Sequence, residues 1–239
     1  KSIKMIKIYE PKITNEDISF VTETLKKGWL SGNTPVIKDF EEALANYLGI
    51  KYVSSCSSGT AALHLSLLGL GIGPGDEVIM PSLSYIATAN AVSYVGATPV
   101  FIDVDISTWQ IDHRLVEKKI TKNTKAIAIV HFLGIPVNIF EIKKIAKKYN
   151  LFVLEDCALA IGAKYNQQHV GTIGDVGVFS FYPVKHITTA EGGMIITNKS
   201  SFAKKLRLLR AFGVNKTFSE RSRGIYNANY LGLNYRMSE

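Results

Sequence analysis

The stretch Lys125–Asp156, KAIAIVHFLGIPVNIFEIKKIAKKYNLFVLED, carries the pattern that decides the fold. Its apolar run at 125–130 predicts a strand, the amphipathic segment 138–148 a helix, and the apolar run 151–155 a second strand. A helix between two such strands is the connection that parallel neighbours need, since both must enter the sheet from the same end.

The same alternation extends in both directions. Strands are predicted at 52–54, 77–80 and 99–102 upstream and at 176–181 and 193–197 downstream, with helices at 60–70, 84–95 and 112–119. Only a loop separates the last two strands, which admits one antiparallel member. The fold class is therefore α/β: a mostly parallel seven-stranded sheet flanked by helices, with ligands outside the carboxyl ends of its strands. Ahead of this region, a short extended start (Ile6, Ile8) leads to a helix capped by Asn15 and ended by Gly28, with Ile18, Val21 and Leu25 inward. Thr34-Pro35 starts a second helix with Val36, Ile37, Phe40, Leu44 and Tyr47 inward and Gly49 closing it. Residues 1–50 are expected to form a helical segment packed on a large domain, 51–239. Trp29, in the connector Gly28–Gly32, reads as a packing anchor or as part of a site.

With 239 residues, 46% hydrophobic and 20% charged, the chain supports a globular core and excludes disorder, collagen and coiled coil. Cys56 and Cys157 lack CxxC spacing and nothing resembles a secretory leader, so a reducing, cytoplasmic setting is expected. The uncharged run Val78–Ile102 is broken by Pro81, Ser82, Ser84, Thr88, Asn90, Ser93, Gly96 and Pro99, which argues against a membrane span. The formal charge is +8. The basic pairs Lys118-Lys119, Lys143-Lys144, Lys147-Lys148 and Lys204-Lys205 fall on helical segments without accompanying aromatics, so solvated helix faces are expected and no nucleic-acid partner. The five histidines show no metal-ligand spacing, and no metal is expected. Gly69–Gly75 follows a helix instead of a strand and reads as a helix stop, not a dinucleotide fingerprint.

Three features carry chemistry. Ser54–Leu63, SSCSSGTAAL, is a small-residue turn opening a helix after the first strand, a pattern shared by phosphate cradles and by ordinary helix caps. The strand at 151–155 ends in Glu155-Asp156, acids that either cap a helix or face a cation in the crevice. Lys185 is the only charged residue between Asp175 and Glu191. It reads as a strand-end lysine snorkelling to water or as an amine of lowered proton affinity suited to imine chemistry. Together they supply what pyridoxal phosphate requires: a helix N-terminus for the phosphate, a carboxylate for the pyridine nitrogen and a lysine for the imine.

Longer strings extend the match: GWLSG (28–32), SSGTAAL (57–63), PSLSYIATANA (81–91), GATPVFIDVD (96–105), LEDCALAIGA (154–163), GDVGVFSFYPVKHITTAEGGMI (174–195) and LGLNYRMSE (231–239). In these the chain resembles the DegT/DnrJ-type nucleotide-sugar aminotransferases, of the fold-type-I pyridoxal-phosphate group. The resemblance implies that Gly59, Thr60 and Ala61 bind the phosphate, Tyr85 stacks on the pyridine ring and Asp156 pairs with its nitrogen. It also implies that Ser180 adds a hydroxyl to the phosphate, that Lys185 is the imine-forming lysine and proton shuttle, and that Asn234 reaches the phosphate of a neighbouring subunit in a homodimer. The implied reaction is amination of a keto-sugar nucleotide with L-glutamate as donor, serving surface polysaccharide or glycoconjugate. Sugar dehydratases of the same fold carry histidine in place of this lysine, so Lys185 favours transamination. Leu159 stands where these enzymes commonly carry Gln or His, which leaves a dehydratase as an alternative. Family members continue past the NYRMS motif into a small C-terminal domain, expected to be absent from this chain, which leaves a catalytically silent remnant as another.

Overall fold

The computed structural model describes residues 10–30, 34–214, 228 and 230–239. The expected extended start at Ile6 and Ile8, and Ser31 and Gly32 of the connector, lie outside the described residues.

Two helices lead the chain. α1 (Asn15–Lys26) is capped by Thr14, not by Asn15: the Thr14 hydroxyl accepts from the Asp17 N–H (3.2 Å) and the Asp17 carboxylate accepts from the Thr14 N–H (2.7 Å). The acid three residues on makes Thr14 the better cap, a reciprocal pairing that Asn15 lacks. α2 (Pro35–Leu48) ends at Gly49 in the left-handed conformation (φ 67°), as expected. It buries Leu44 and Leu48 beneath the sheet edge with Val53, Phe179 and Met194, Ile37 is buried as well, and Tyr47 turns outward. The expected inward stripe of α1 is overturned: Ile18, Val21 and Leu25 are each more than half exposed, and Thr24 is the buried residue of that helix. Periodicity identified the apolar face correctly; among the described residues nothing packs on it.

The strand–helix alternation then runs as expected. β1 (Tyr52–Cys56), α3 (Gly59–Leu70), β2 (Glu77–Pro81), α4 (Ala87–Tyr94), β3 (Thr98–Ile102), α5 (His113–Val116), β4 (Thr124–Val130), α6 (Ile139–Tyr149) and β5 (Phe152–Asp156) follow in order. A two-residue-per-strand hairpin, β6 (Lys164–Tyr165) with β7 (Gln168–His169), precedes β8 (Val176–Ser180), β9 (Gly193–Thr197) and α7 (Ser200–Arg210). The hairpin and the full extent of α7 are additions to the expected elements. The hairpin turn puts Asn166 and Gln167 at positive φ, a primed turn made without glycine.

The large sheet has seven strands in the order β1-β9-β8-β5-β4-β2-β3. β9 is the antiparallel member, pairing antiparallel with both β1 and β8, while β2, β3, β4, β5 and β8 pair in parallel. One face is covered by α3, α4 and α7 through Leu65, Leu67, Val92 and Leu206, the other by α6 through Ile139 and Ile142 against Ile127 and Ile129. Lys118, Lys119, Lys143, Lys144, Lys147, Lys148 and Lys204 are exposed and Lys205 half-buried, so the basic pairs occupy solvated faces. Among the described residues no helix is long and apolar enough to cross a membrane.

Register at the antiparallel strand locks the site-bearing ends together. Gly193 is opposite Cys56 of β1 on one side and Ser180 of β8 on the other. A Cβ at Gly193 would collide with the Ser58 carbonyl oxygen and lie 2.8 Å from the Gly59 nitrogen, both backbone atoms that cannot swing aside. Gly193→Ala is accordingly expected to destabilise the fold by about 1–3 kcal/mol through overpacking. A urea unfolding curve reads this, and an unchanged midpoint would contradict the packing described.

Candidate active site

The carboxyl ends of β1, β5 and β8 converge on one polar patch. After β1, Ser58 caps α3, its hydroxyl accepting from the Ala61 N–H (3.1 Å). The Ala62 N–H binds the Ser58 carbonyl (3.0 Å). That leaves Gly59 and Thr60, whose N–H groups have no acceptor within the helix and point from its positive end. Ala61, expected as a phosphate ligand, has its N–H engaged by the Ser58 cap. Gly59 sits tightly on β8: a Cβ there would fall 2.7 Å from Ser180 Cβ and 3.1 Å from Ser180 Oγ. The structure therefore brings together the turn and the hydroxyl that the sequence placed 121 positions apart.

β5 ends in two buried carboxylates on opposite faces of the strand, as alternation requires. Glu155 accepts from His131 Nε2 (3.0 Å) and from the backbone N–H groups of Gly171 (2.7 Å), Ile173 (2.9 Å) and Gly174 (2.5 Å). His131 Nδ1 in turn accepts from the Val137 N–H (3.1 Å), which assigns the ring proton to Nε2. This carboxylate ties the loop before β8 to the end of β4. With Cys157 these two residues form a buried group whose ligand atoms lie within 4.8 Å of one another. The Glu155 and His131 positions are filled by protein partners, and burial holds the Cys157 proton in place well above the usual thiol range, so the set suits structure better than a cation.

Asp156 faces the other way. Thr88 of α4 donates its hydroxyl proton to Oδ2 (2.7 Å), and the Ala158 N–H donates to Oδ1 (3.0 Å). Burial pushes the Asp156 carboxyl above the usual carboxylate range; the Thr88 and Ala158 hydrogen bonds and the charge of Lys185 oppose the shift.

Lys185 lies on the loop Phe181–Gly192 joining β8 to β9. The loop is pinched at its base by Phe181 N–H to the Gly192 carbonyl (2.9 Å), and Thr188 and Thr189 both bond the Phe181 carbonyl (3.0 Å each). The Lys185 N–H closes a tight turn on the Tyr182 carbonyl (2.9 Å). Farther along the loop, Ala190 stands at φ 63°, a left-handed conformation uncommon outside glycine and asparagine. Lys185 is half-buried; burial lowers its proton affinity and the attraction of Asp156 partly restores it.

Gly59, Thr60, Ser180, Asp156 and Lys185 thus share one end of the sheet. Tyr85 is 74% exposed on the turn before α4, with no hydrogen bond or ring contact to that group. Asn234 is exposed on the segment after Leu231, bridged to Ala211 of the end of α7. Leu159 is half-buried beside this loop cluster. Thr88 and the His131–Glu155 pair were not singled out by the sequence. Thr88 shares α4 with Asn90, Ser93 and Tyr94, so no local pattern set its hydroxyl apart.

The chain belongs to the DegT/DnrJ/EryC1/StrS aminotransferase family, whose profile it matches over residues 11–239. It is 43% identical over 236 residues to the GDP-perosamine synthase of Escherichia coli O157:H7, covering 99% of this chain and 63% of that protein. In structure it is similar to AtS13 from Actinomadura melliaura, with a TM-score of 0.94, 33% identity, and coverage of 100% of this chain and 65% of the other. Spr1654 of Streptococcus pneumoniae, solved in a PMP form, superposes with a TM-score of 0.90 at 31% identity, covering 98% of this chain and 64% of that one. The chain spans just over three fifths of the length of these relatives.

The raised Asp156 carboxyl has a consequence for stability. An acid whose folded-state affinity for protons exceeds the unfolded one loses stability as pH rises through that window, and its charge burdens the fold at neutral pH. Asp156→Asn is therefore expected to raise the melting temperature of the cofactor-free protein at neutral pH, with the gap narrowing as pH falls toward the carboxyl's own transition. A lower melting temperature at neutral pH, or a gap independent of pH, would contradict the assigned burial cost.

Proposed function

We propose that the protein is a pyridoxal-phosphate-dependent aminotransferase that installs an amine on a keto-sugar nucleotide, with L-glutamate as donor. The carrying observation is the convergence of the α3 N-terminus on Ser180 through a contact that only glycine at position 59 permits. That arrangement fits a phosphate ester: Gly59 and Thr60 offer backbone N–H groups, Ser180 a hydroxyl, and the helix its positive end, with Ala61 helping to close the turn.

Pyridoxal phosphate, the cofactor of this family, supplies an aldehyde that exchanges amines and a ring that spreads carbanion charge. The chain's own residues do the rest. Asp156 would hold a proton at the ring nitrogen, since an anionic carboxylate beside a pyridine favours the protonated ring. Tyr85, exposed on the turn before α4, would be the side chain to cover the ring. Lys185 Nζ takes the α-proton of the amino donor and later delivers a proton to the former carbonyl carbon of the sugar. A lysine of lowered proton affinity suits both directions, because the efficient shuttle titrates near the working pH.

The substrate reading rests on the relative in Escherichia coli O157:H7, a GDP-perosamine synthase, which points to a GDP-linked keto sugar as the first to test. A homodimer is part of the proposal. Tyr85 and Ile86 before α4 and Tyr182, Val184 and Ile187 of the β8–β9 loop are exposed apolar side chains, which a second copy would cover while Asn234 of the partner subunit reaches the phosphate. With the amine kept in a nucleotide sugar, the product suits glycan assembly, and the site of action is proposed as cytoplasmic.

Incubation with pyridoxal phosphate and borohydride, followed by peptide mass spectrometry, tests the lysine directly. The label is expected on Lys185, and a label spread over exposed lysines would contradict the proposal. With glutamate and a GDP-linked keto sugar, an amine-bearing sugar nucleotide is expected, and Lys185→Ala should slow its formation by roughly 100-fold to 10,000-fold or more. Full turnover in that variant would overturn the assigned role.

A further inference from the structure

We infer that Thr88 is a positioning residue for Asp156: its hydroxyl fixes the buried carboxylate at Oδ2 and keeps that carboxylate ionised toward the crevice. The inference deepens the proposed role of Asp156 and rests on it for its functional meaning.

The geometry is specific. Thr88 is 2% exposed and its Oγ1 lies 2.7 Å from Asp156 Oδ2, a contact between residues 68 positions apart. Elsewhere in the chain helical hydroxyls turn back on the carbonyl four residues earlier, as Thr22, Thr24 and Ser66 do at 2.8, 2.9 and 2.7 Å. Thr88 stands on the first turn of α4, with helix only from Ala87 onward, so its hydroxyl has no helical carbonyl behind it and crosses to β5 instead. Around it α4 buries Ala89, Ala91 and Val92, a setting in which valine would satisfy packing and a hydroxyl needs another reason.

The hydroxyl carries a single proton, and it is given to Asp156. An ionised carboxylate has about four lone-pair directions. Thr88 takes one on Oδ2 and the Ala158 N–H one on Oδ1, which stops rotation of the group while leaving one direction on each oxygen for a further donor. The titratable groups facing Asp156 are Lys185 from the β8–β9 loop and the His131 imidazole from the end of β4, with Glu155 and the Cys157 thiol beside it in the chain. Lys185 is half-buried on a loop, whereas Thr88 is fixed in a helix. The permanent support for the charge therefore comes from a neutral donor.

The test is the titration of Asp156 itself in the cofactor-free protein. Its Cγ resonance, assigned by its loss in Asp156→Asn, is followed against pH by carbon NMR in the parent, Thr88→Val and Thr88→Ser. Thr88→Val is expected to raise the carboxyl transition by about one to two pH units, roughly tenfold to a hundredfold in proton affinity, with Thr88→Ser close to the parent. If the valine variant fails to fold, Thr88→Ala removes the same hydroxyl with less bulk. An unmoved transition in a folded hydroxyl-free variant, or a serine variant that behaves like the valine, would overturn the inference.

The second readout is the dissociation constant of pyridoxal phosphate by equilibrium dialysis. It should weaken about tenfold or more in Thr88→Val, recover in Thr88→Ser, and show no further loss when Thr88→Val is added to Asp156→Asn. Additive losses would contradict a role exerted through Asp156. A shifted Asp156 titration in a protein whose parent does not bind pyridoxal phosphate would sustain the positioning and defeat the cofactor reading instead.

Discussion

The seating of the α3 N-terminus against the ends of β8 and β9 is the constraint on which the site depends. It requires two missing side chains, at Gly59 facing Ser180 and at Gly193 facing the Ser58 carbonyl. Because Gly193 pairs with Cys56 on one side and Ser180 on the other, the antiparallel strand acts as a spacer that sets how closely the first strand's turn approaches the eighth strand's hydroxyl. An all-parallel sheet would need a crossover helix at this place. The short return through the β8–β9 loop instead leaves room for Lys185 at the same end. The polar patch thus follows from topology and glycine placement before any ligand is considered.

The two acids ending β5 show how stability and chemistry are divided over adjacent residues. Glu155 is enclosed by one imidazole and three backbone N–H groups, and its burial holds the loop before β8 in position. Asp156, one residue on and facing the opposite side, has a hydroxyl and one N–H. Fully bonded buried charges rigidify; partly bonded ones retain capacity for a ligand at a cost in fold stability. Strand alternation alone separates the two settings, which explains how a fully bonded carboxylate can sit beside a partly bonded one without competing for the same donors.

The alternating sheet, its order of elements and its antiparallel member were legible because apolar runs and helical periodicities are local signals. The small-residue turn at Gly59, the strand-end acid Asp156 and the isolated Lys185 stood out as local patterns, Ser180 came from the family resemblance, and the structure places all four at one end of the sheet. What escaped has physical reasons. The apolar stripe of α1 at Ile18, Val21 and Leu25 told which face is greasy, but burial needs a partner, and none of the described residues packs on it. Asn15 and Thr14 are both capping residues, and only the reciprocal bond with Asp17 separates them. The β6–β7 hairpin is too short for any period and its turn lacks glycine. Thr88 meets Asp156 through tertiary packing across 68 positions, which no local pattern encodes. The roles expected of Tyr85 and Asn234 come from the family resemblance alone, and in the single chain both are exposed.

The most direct test of the central claim, that glycine-permitted packing of α3 on β8 creates a phosphate seat, is the phosphorus NMR signal of pyridoxal phosphate added to the protein, followed across about pH 6 to 8. A phosphate gripped by the Gly59 and Thr60 N–H groups and Ser180 is held as the dianion, so the account predicts a bound resonance whose position is independent of pH in the parent and is lost in Gly59→Ala. A bound signal that titrates near pH 6, as an unheld phosphate monoester does, or that persists unchanged in Gly59→Ala, would contradict it.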